Sequence, residues 1–365
     1  MQLSRKVNPS NQVGEKEYRS LKGYLSYSGL KQYVQSRSKF YKEMILQESV
    51  KKEQTLSTIL GDMVHVLLAD QINEWDSKFI MTSVVPPTGQ VLTLVQELYK
   101  RSLQSMDEEG VQRDNFNVIF TDAVQVVKYE YDGITEKAFK SKPNEKILEM
   151  FQATGEAYYQ ELLRSTGKTV VTIQQIEQAE KLVTTLKEHK YTRDIINLQS
   201  SDDIEVFNEM VILYEMDGIK YRSMLDKVVV DHKNKTIQPW DYKTSYNIET
   251  NWEYSYMSNG YYIQVGLYAL ALKYWVKEHK LDGYKILPMK YIAIDTTGAS
   301  APIVYAMSDK DVLMGQRGFT VRGKHYKGCL TIHKDILWNI NTGIWSTCQE
   351  VEEANGEIEM KIVYR

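Results

Sequence analysis

"EVFNEMVILYEMDGIKYRSMLDKVVVDHKNKTIQPWDYKTS", residues 205–245, decides the fold class. Apolar residues alternate along it, Val, Ile and Tyr are abundant, and "EMDG" and "DHKNK" read as turns, so the stretch predicts three antiparallel strands. Asp241 and Lys243 stand two apart on the third strand, where a period of two puts both side chains on one face of the sheet. The spacing alone is cheap, since Asp76–Lys78, Glu188–Lys190, Asp231–Lys233, Glu278–Lys280 and Glu359–Lys361 share it. Context separates them. The second strand carries Asp226 on the face of Met224, Val228 and Val230, where a carboxylate is expensive without compensation.

If "HKNK" is a four-residue loop closed by Asp231 opposite Thr236, counting back puts Asp226 directly across from Asp241. The two carboxylates would then face each other with Cβ atoms about 5 Å apart. Like charges at that distance require a proton on one of them or a cation between them. Hard oxygen ligands without thiols favour Mg²⁺ or Mn²⁺. A loop of another length would slip the register and turn the acids apart, and Pro239 inside the strand implies an edge or a bulge.

Work outward from this hairpin gives a helix in "GYYIQVGLYALALKYWVKEH" and two more strands in "MKYIAIDT" and "IVYAMS". Upstream, "YLSYSGLKQYVQSRSKFYKEMIL" reads as one helix or two short ones, with Ser26 and Ser28 as N-cap candidates. "STILGDMVHVLLAD" is a second helix that carries His65, and "TIQQIEQAEKLVTTLKEH" is an amphipathic third. Residues 1–23 are polar and predict poor order. Residues 90–165 are mostly polar-helical, with "MDEEGVQRDNF" as a loop, and read as an elaboration on a core, a lid or a wall. Beyond 308 the signal weakens to one helix in "HKDILWNINTGIW". "STGKTVVT" is no phosphate-binding loop, because Leu162 stands where the pattern needs Gly.

The 365 residues suffice for one large domain with insertions or two modest ones. No apolar run approaches a membrane span, and the N-terminus lacks an apolar leader. Cys329 and Cys348 are the only cysteines, which fits a reducing cytoplasm and excludes a four-thiolate iron–sulfur cluster or a zinc knuckle. A net charge of −3 neither argues for nucleic acid nor excludes it, since phosphate contacts depend on local basic faces.

Other residues read two ways. Gln264 and Tyr268, at i and i+4, share a helix face and could reach a phosphate together or simply pack. His65 on an apolar helix suits a core histidine or a ligand. Glu209 could be a paired surface acid or part of the site.

In order along the chain, "GDMVH" with His65, then Glu209, "YRSMLDK" with Asp226, "WDYKT" with Asp241 and Lys243, and "QVGLY" with Gln264 and Tyr268 resemble a known set. They look like the H, E, D, D-x-K and Q-x-x-x-Y motifs of the RecB-like branch of the PD-(D/E)xK nucleases. "LSYSGLKQYVQSRSKFY", "TILGDMVHVLL" followed by "WDSKFI", "TGKTVVT" and "RSMLDKVVVD…DYKTS" more closely resemble the nuclease domain of the exonuclease VIII (RecE) family and related phage exonucleases. Three departures stand out: Leu225 replaces the usual Pro, residues 90–165 look longer, and the tail beyond 300 has no match.

The resemblance implies an α/β fold, a nuclease core over residues 24–300 with a central mixed β-sheet flanked by helices, a helical insertion near 90–165, and a C-terminal extension over 301–365. It implies a Mg²⁺ or Mn²⁺ ion on Asp226, Asp241, the backbone carbonyl of Tyr242 and His65, with Glu209 supporting a possible second metal. Lys243 would position or deprotonate the attacking water, and Gln264 and Tyr268 would hold the scissile strand. The implied activity removes nucleotides from a 5′ end of linear double-stranded DNA, leaving a 3′ single strand for an annealing protein, in a homo-oligomer that can be a ring. Two alternatives stay open: a structure-dependent endonuclease of the same fold, and a non-catalytic DNA-binding or scaffold protein. The intact set of Asp226, Asp241 and Lys243 counts against the last.

Overall fold

The computed structural model describes residues 15–48, 55–69, 72–107, 112–130, 139 and 141–357. Positions 1–14 of the polar N-terminal segment, residues 108–111 of the expected loop and the Glu359–Lys361 pair lie outside the described residues. Two compact units divide the chain: Met1–Ala69 with Lys181–Arg365, and Asp70–Glu180.

The first unit starts with α1 (Glu15–Ser20), inside the segment expected to lack order. Tyr18 is what anchors it, packing on Val211 and Leu213 with the Arg222 guanidinium 4.9 Å from its ring centroid. Then come β1 (Tyr24–Leu25), α2 (Tyr27–Gln35), α3 (Arg37–Phe40), a π-helical turn at Tyr41–Ile45, and α4 (Leu56–Leu68), which carries His65. The Ser26 hydroxyl accepts from the Gly29 N–H and caps α2, while Ser28 lies inside that helix; Ser36 ends α2 and caps α3.

The second unit holds α5 (Ile72–Lys78), β2 (Phe79–Thr82), α6 (Gly89–Gln104), α7 (Phe116–Gln125), α8 (Asn144–Thr154), α9 (Glu156–Arg164) and β3 (Thr169–Thr172), and α10 (Ile173–Glu188) begins in it. Phe116, Phe120, Phe151 and Tyr159 form its aromatic core, and β2 pairs with β3 in parallel. "TGK" runs into a strand here, not into a helix N-terminus, so no phosphate cradle is built.

The chain then returns to the first unit through α11 (Arg193–Ile196), β4 (Ile204–Met216), β5 (Ile219–Asp231), β6 (Thr236–Ser245), α12 (Ile248–Ser258) and α13 (Tyr261–Glu278). It continues with β7 (Lys285–Ile286), β8 (Lys290–Asp295), β9 (Ile303–Ala306), α14 (Asp309–Arg317), β10 (Phe319–Val321), β11 (Lys324–Tyr326), α15 (Cys329–Thr342) and α16 (Gln349–Glu353). Strands β1 and β4 to β9 make one mixed seven-stranded sheet with helices packed on it.

The expected hairpin register holds: Asp231 pairs with Thr236, and the ladder runs back to Lys227 opposite Trp240. There the strands part. β6 turns to β8, pairing in parallel from Trp240 opposite Lys290 to Ser245 opposite Asp295, while β5 takes β1 beside Lys220 and Tyr221. Pro239 falls where the neighbour of β6 changes from β7 to β8, and Gln238 Nε2 donates to the Pro288 carbonyl there at 2.7 Å. A proline inside this interior strand is tolerated because its missing N–H meets a gap between two partners.

One expectation is corrected. Asp226 does not share an uninterrupted face with Met224, Val228 and Val230, because Val228 and Val230 lie in the main core with Tyr221 and Leu225, whereas Met224 packs in the cluster around Tyr18. The cause lies opposite Asp226 on β4. Glu209 has φ +50°, and the ladder is intact on either side of it, at Asn208 opposite Lys227 and Met210 opposite Leu225. A left-handed residue reverses the alternation, so Phe207 and Met210 both reach the main core, as do Leu225 and Val228 across from them. Lys227 turns away and donates to the Ile195 and Ile196 carbonyls at 2.9 Å each, closing the end of α11; burial pushes its amine down to about 8.

α13 covers the core face of the sheet. It is held by a backbone-to-backbone crossing with α14, so close that a Cβ on Gly266 would lie 2.4 Å from the Gly315 carbonyl carbon. Only two glycines permit that approach.

Candidate active site

Asp226 and Asp241 lie where β5 and β6 part. The Asp226 carboxylate accepts the Tyr242 backbone N–H at 2.7 Å, supplying through its Oδ2 the acceptor that β5 no longer offers as a ladder. α4 comes down on β6 at Gly61, where an added Cβ would meet Thr244 Oγ1 at 3.1 Å. One turn later His65 lies beside Tyr242, with Nδ1 3.7 Å from Asp226 Oδ2. Its side chain is 30% exposed and otherwise enclosed between α4 and β6.

Asp241 is fully buried. Lys243 Nζ sits 2.5 Å from its Oδ2, as the shared face predicts, and packs 5.2 Å from the Tyr261 ring centroid. Gln264 Nε2 donates to Asp241 Oδ1 at 2.7 Å. Tyr291, directly beside Asp241 on β8, bonds through its hydroxyl to Gln264 Oε1 at 3.3 Å and to the Tyr261 carbonyl at 3.0 Å. Tyr268 donates to the Met224 carbonyl at 2.6 Å. Gln264 and Tyr268 are both buried, Gln264 against Asp241 and Tyr268 against the β5 backbone. Glu209 lines a small cavity with His65, Asp226 and Tyr242. Tyr291 has no signal in the sequence until the parallel β6–β8 register is known.

A model of the PD-(D/E)XK nuclease superfamily matches residues 24–312, a span that contains every one of these groups. The chain belongs to this superfamily. No curated protein matches it. A solved structure from Eubacterium rectale, a protein carrying the provisional name of exonuclease, aligns over 97% of this chain and 96% of its own at 12% identity and a TM-score of 0.47. No helix among the described residues is long and apolar enough to cross a membrane.

Electrostatics around the two acids follow from burial and crowding. Burial and then the neighbouring Asp226 charge push the Asp241 carboxyl up to about 6, against the downward pull of Lys243. Burial raises Asp226 too, while Lys243 and the Tyr242 N–H hold it back. Burial alone would lower the Lys243 amine, but Asp241 and Asp226 together outweigh it and the net displacement is upward. His65 is lowered, first by burial and then by the Lys243 charge.

Nucleases of this superfamily typically use divalent metal ions. Among the described residues, no three His, Cys, Asp or Glu side chains are gathered tightly enough to hold one ion, so His65, Asp226 and Asp241 do not close around a single point in this arrangement. The donor chemistry nonetheless fits. The charge of the partly buried Asp226 raises the fully buried Asp241 carboxyl, which positive charge nearby would relieve, and Asp241 Oδ2 has no hydrogen bond beyond its contact with the ammonium. Hard carboxylate oxygens with an imidazole alongside suit a divalent cation.

Proposed function

We propose that this nuclease is a Mg²⁺-dependent exodeoxyribonuclease, hydrolysing linear double-stranded DNA from a 5′ end to leave a 3′ single strand. The observation that carries the reading is the packing of Lys243 against Asp241, one strand away from Asp226, at a break in the sheet. The motif order from His65 to Tyr268, similar to that of the RecE-like exonucleases, supports the polarity, a role in phage-type recombination with an annealing protein, and a ring of identical subunits.

Asp226 and Asp241 would hold the cation, with the Tyr242 carbonyl and His65 as further donors and Glu209 beside them. A divalent cation there supplies Lewis-acid polarisation of the phosphodiester and a more acidic water. Lys243 contributes an oriented positive charge where negative charge builds up on the phosphate. Packed against Asp241 and near Asp226, Lys243 would also position or deprotonate the attacking water. Gln264 holds Asp241, and Tyr291 holds Gln264, so the carboxylate meets its ligand in one orientation.

The test is digestion of end-labelled linear duplex and closed circular DNA, each with Mg²⁺ or with chelator. Mononucleotide release from the linear substrate alone, lost on chelation and reduced at least about a hundredfold by Lys243→Ala, is the expected result. Cutting of closed circles would replace the exonuclease with an endonuclease of the same fold. Metal-independent persistence of both substrates would leave a DNA-binding or scaffold protein.

A further inference from the structure

On the other side of the α12–α13 turn from Lys243 lies a groove of about 730 Å³. The turn itself is the shared wall: Tyr261 packs under the Lys243 amine, while Gly260 and Tyr262 line the groove. Lys31 and Arg37 come from the α2–α3 segment, Tyr254 from α12, and Lys324, Tyr326 and Lys327 from the β10–β11 hairpin and the residue after it. No Asp or Glu is among the residues that line it. In a chain of net charge −3 such a surface is a local segregation of positive charge.

The cations are not equally available. Lys327 is engaged by Asp335 at 2.7 Å and contributes little. Lys31 donates to the Asn259 side-chain amide oxygen at 3.2 Å. Arg37 has a buried Nε with no hydrogen-bond partner, beside the Tyr33 ring at 5.7 Å. Lys324 lies 5.0 Å from the centroid of Tyr326, whose ring stacks on Phe319 at 5.3 Å and meets Tyr262 edge-on at 5.9 Å. Tyr254 is 74% exposed, a large apolar ring left in water at the edge of a basic groove.

Cations spaced along a groove with an open aromatic face are what an unpaired polynucleotide needs, since phosphates take the charges and a base stacks on the ring. A duplex hides its base faces and could use only the charges. The β10–β11 hairpin lies beyond residue 312, where the superfamily match ends. We propose that the groove binds single-stranded DNA, with phosphates on Arg37 and Lys324 and a base on Tyr254. The proposal rests on the reading that the chain acts on DNA.

The experiment measures fluorescence anisotropy of a labelled oligothymidylate with the full chain in chelator, so that nothing is cut. Arg37→Gln with Lys324→Gln should weaken binding at least about tenfold and make the slope of log affinity against log salt shallower by about 1.4, or about 0.7 for each lost phosphate contact. Tyr254→Ala should weaken it about fivefold or more with the salt slope unchanged. Lys324 and Tyr254 lie on the surface, so single variants at these two positions keep the fold and repeat the measurement if Arg37→Gln disturbs it.

Unchanged affinity and slope in these variants, binding of blunt duplex as tight as that of the oligothymidylate, or equal competition by polyglutamate would each overturn the groove assignment. Because the readout needs no cleavage, weakened binding in the variants upholds the groove even for a chain that cuts nothing. An active nuclease whose variants bind unchanged loses the groove and keeps the proposed activity.

Discussion

Gln264 on α13 donates to the fully buried Asp241 carboxylate on β6 at 2.7 Å, and its own carbonyl oxygen is held in turn by Tyr291 on β8. A side chain that could reach a phosphate or simply pack thus braces Asp241. Gln264→Ala removes the donor that orients Asp241 Oδ1, and the nuclease rate at limiting metal should fall about 10- to 100-fold. Raising the metal concentration should recover part of that loss. A rate titration against metal, with circular dichroism to check the fold, reads the effect; an unchanged titration curve would return Gln264 to ordinary packing.

Asp241 predicts a pH dependence of stability in metal-free protein. Its carboxyl is raised from 3.8 to about 6 in the fold, so the native state binds the proton more tightly than the unfolded chain does between those values. Stability contributed by this group is therefore full below about 4 and falls as pH rises through about 6. Asp241→Asn removes the titration. Thermal melts in chelator should find the variant more stable than wild type at pH 7.5, with the gap closing near pH 4. A variant that melts lower at pH 7.5 would mean that the contact with Lys243 outweighs burial.

Gly266 and Gly315 set how closely α13 and α14 cross. A Cβ at Gly266 would lie 2.4 Å from the Gly315 carbonyl carbon, and one at Gly315 would lie 2.2 Å from the Tyr262 oxygen. Neither obstacle is a flexible side chain. Gly266→Ala and Gly315→Ala should each cost about 1–3 kcal/mol or more in urea unfolding. The double variant should cost less than the sum, because the first substitution already separates the helices.

Glu209 bears the left-handed backbone that breaks the pleat opposite Asp226. Glu209→Gly should be about 1 kcal/mol more stable than Glu209→Ala, since both lose the carboxylate and only glycine adopts that conformation freely. Equal stabilities by urea unfolding would show that the strands relax. If the carboxylate supports a metal, both variants lose activity alike.

The sequence made much of this site legible for definite reasons. Alternation fixed three strands, and the length of the turn from Asp231 to Thr236 fixed their register, so Lys243 was correctly placed beside Asp241. What stayed hidden depends on contacts remote in sequence. Nothing in "VFNEM" announces a left-handed glutamate, because that conformation is imposed by neighbours and not by a preference of Glu. The i, i+4 spacing of Gln264 and Tyr268 gave their common helix face but not whether that face met solvent or sheet. The short strands β10 and β11, three residues each, carry too few positions for a period to register.

The four residues 232–235 that join β5 to β6 sit at the far end of the ladder from the parting strands. Lengthening them leaves every rung from Lys227 to Asp231 in place, whereas deleting a single residue between Trp240 and Thr236 would swing Asp241 and Lys243 through to the opposite side. That bend is consequently the position at which to graft a fluorophore, an affinity tag or a second protein while sparing the chemistry.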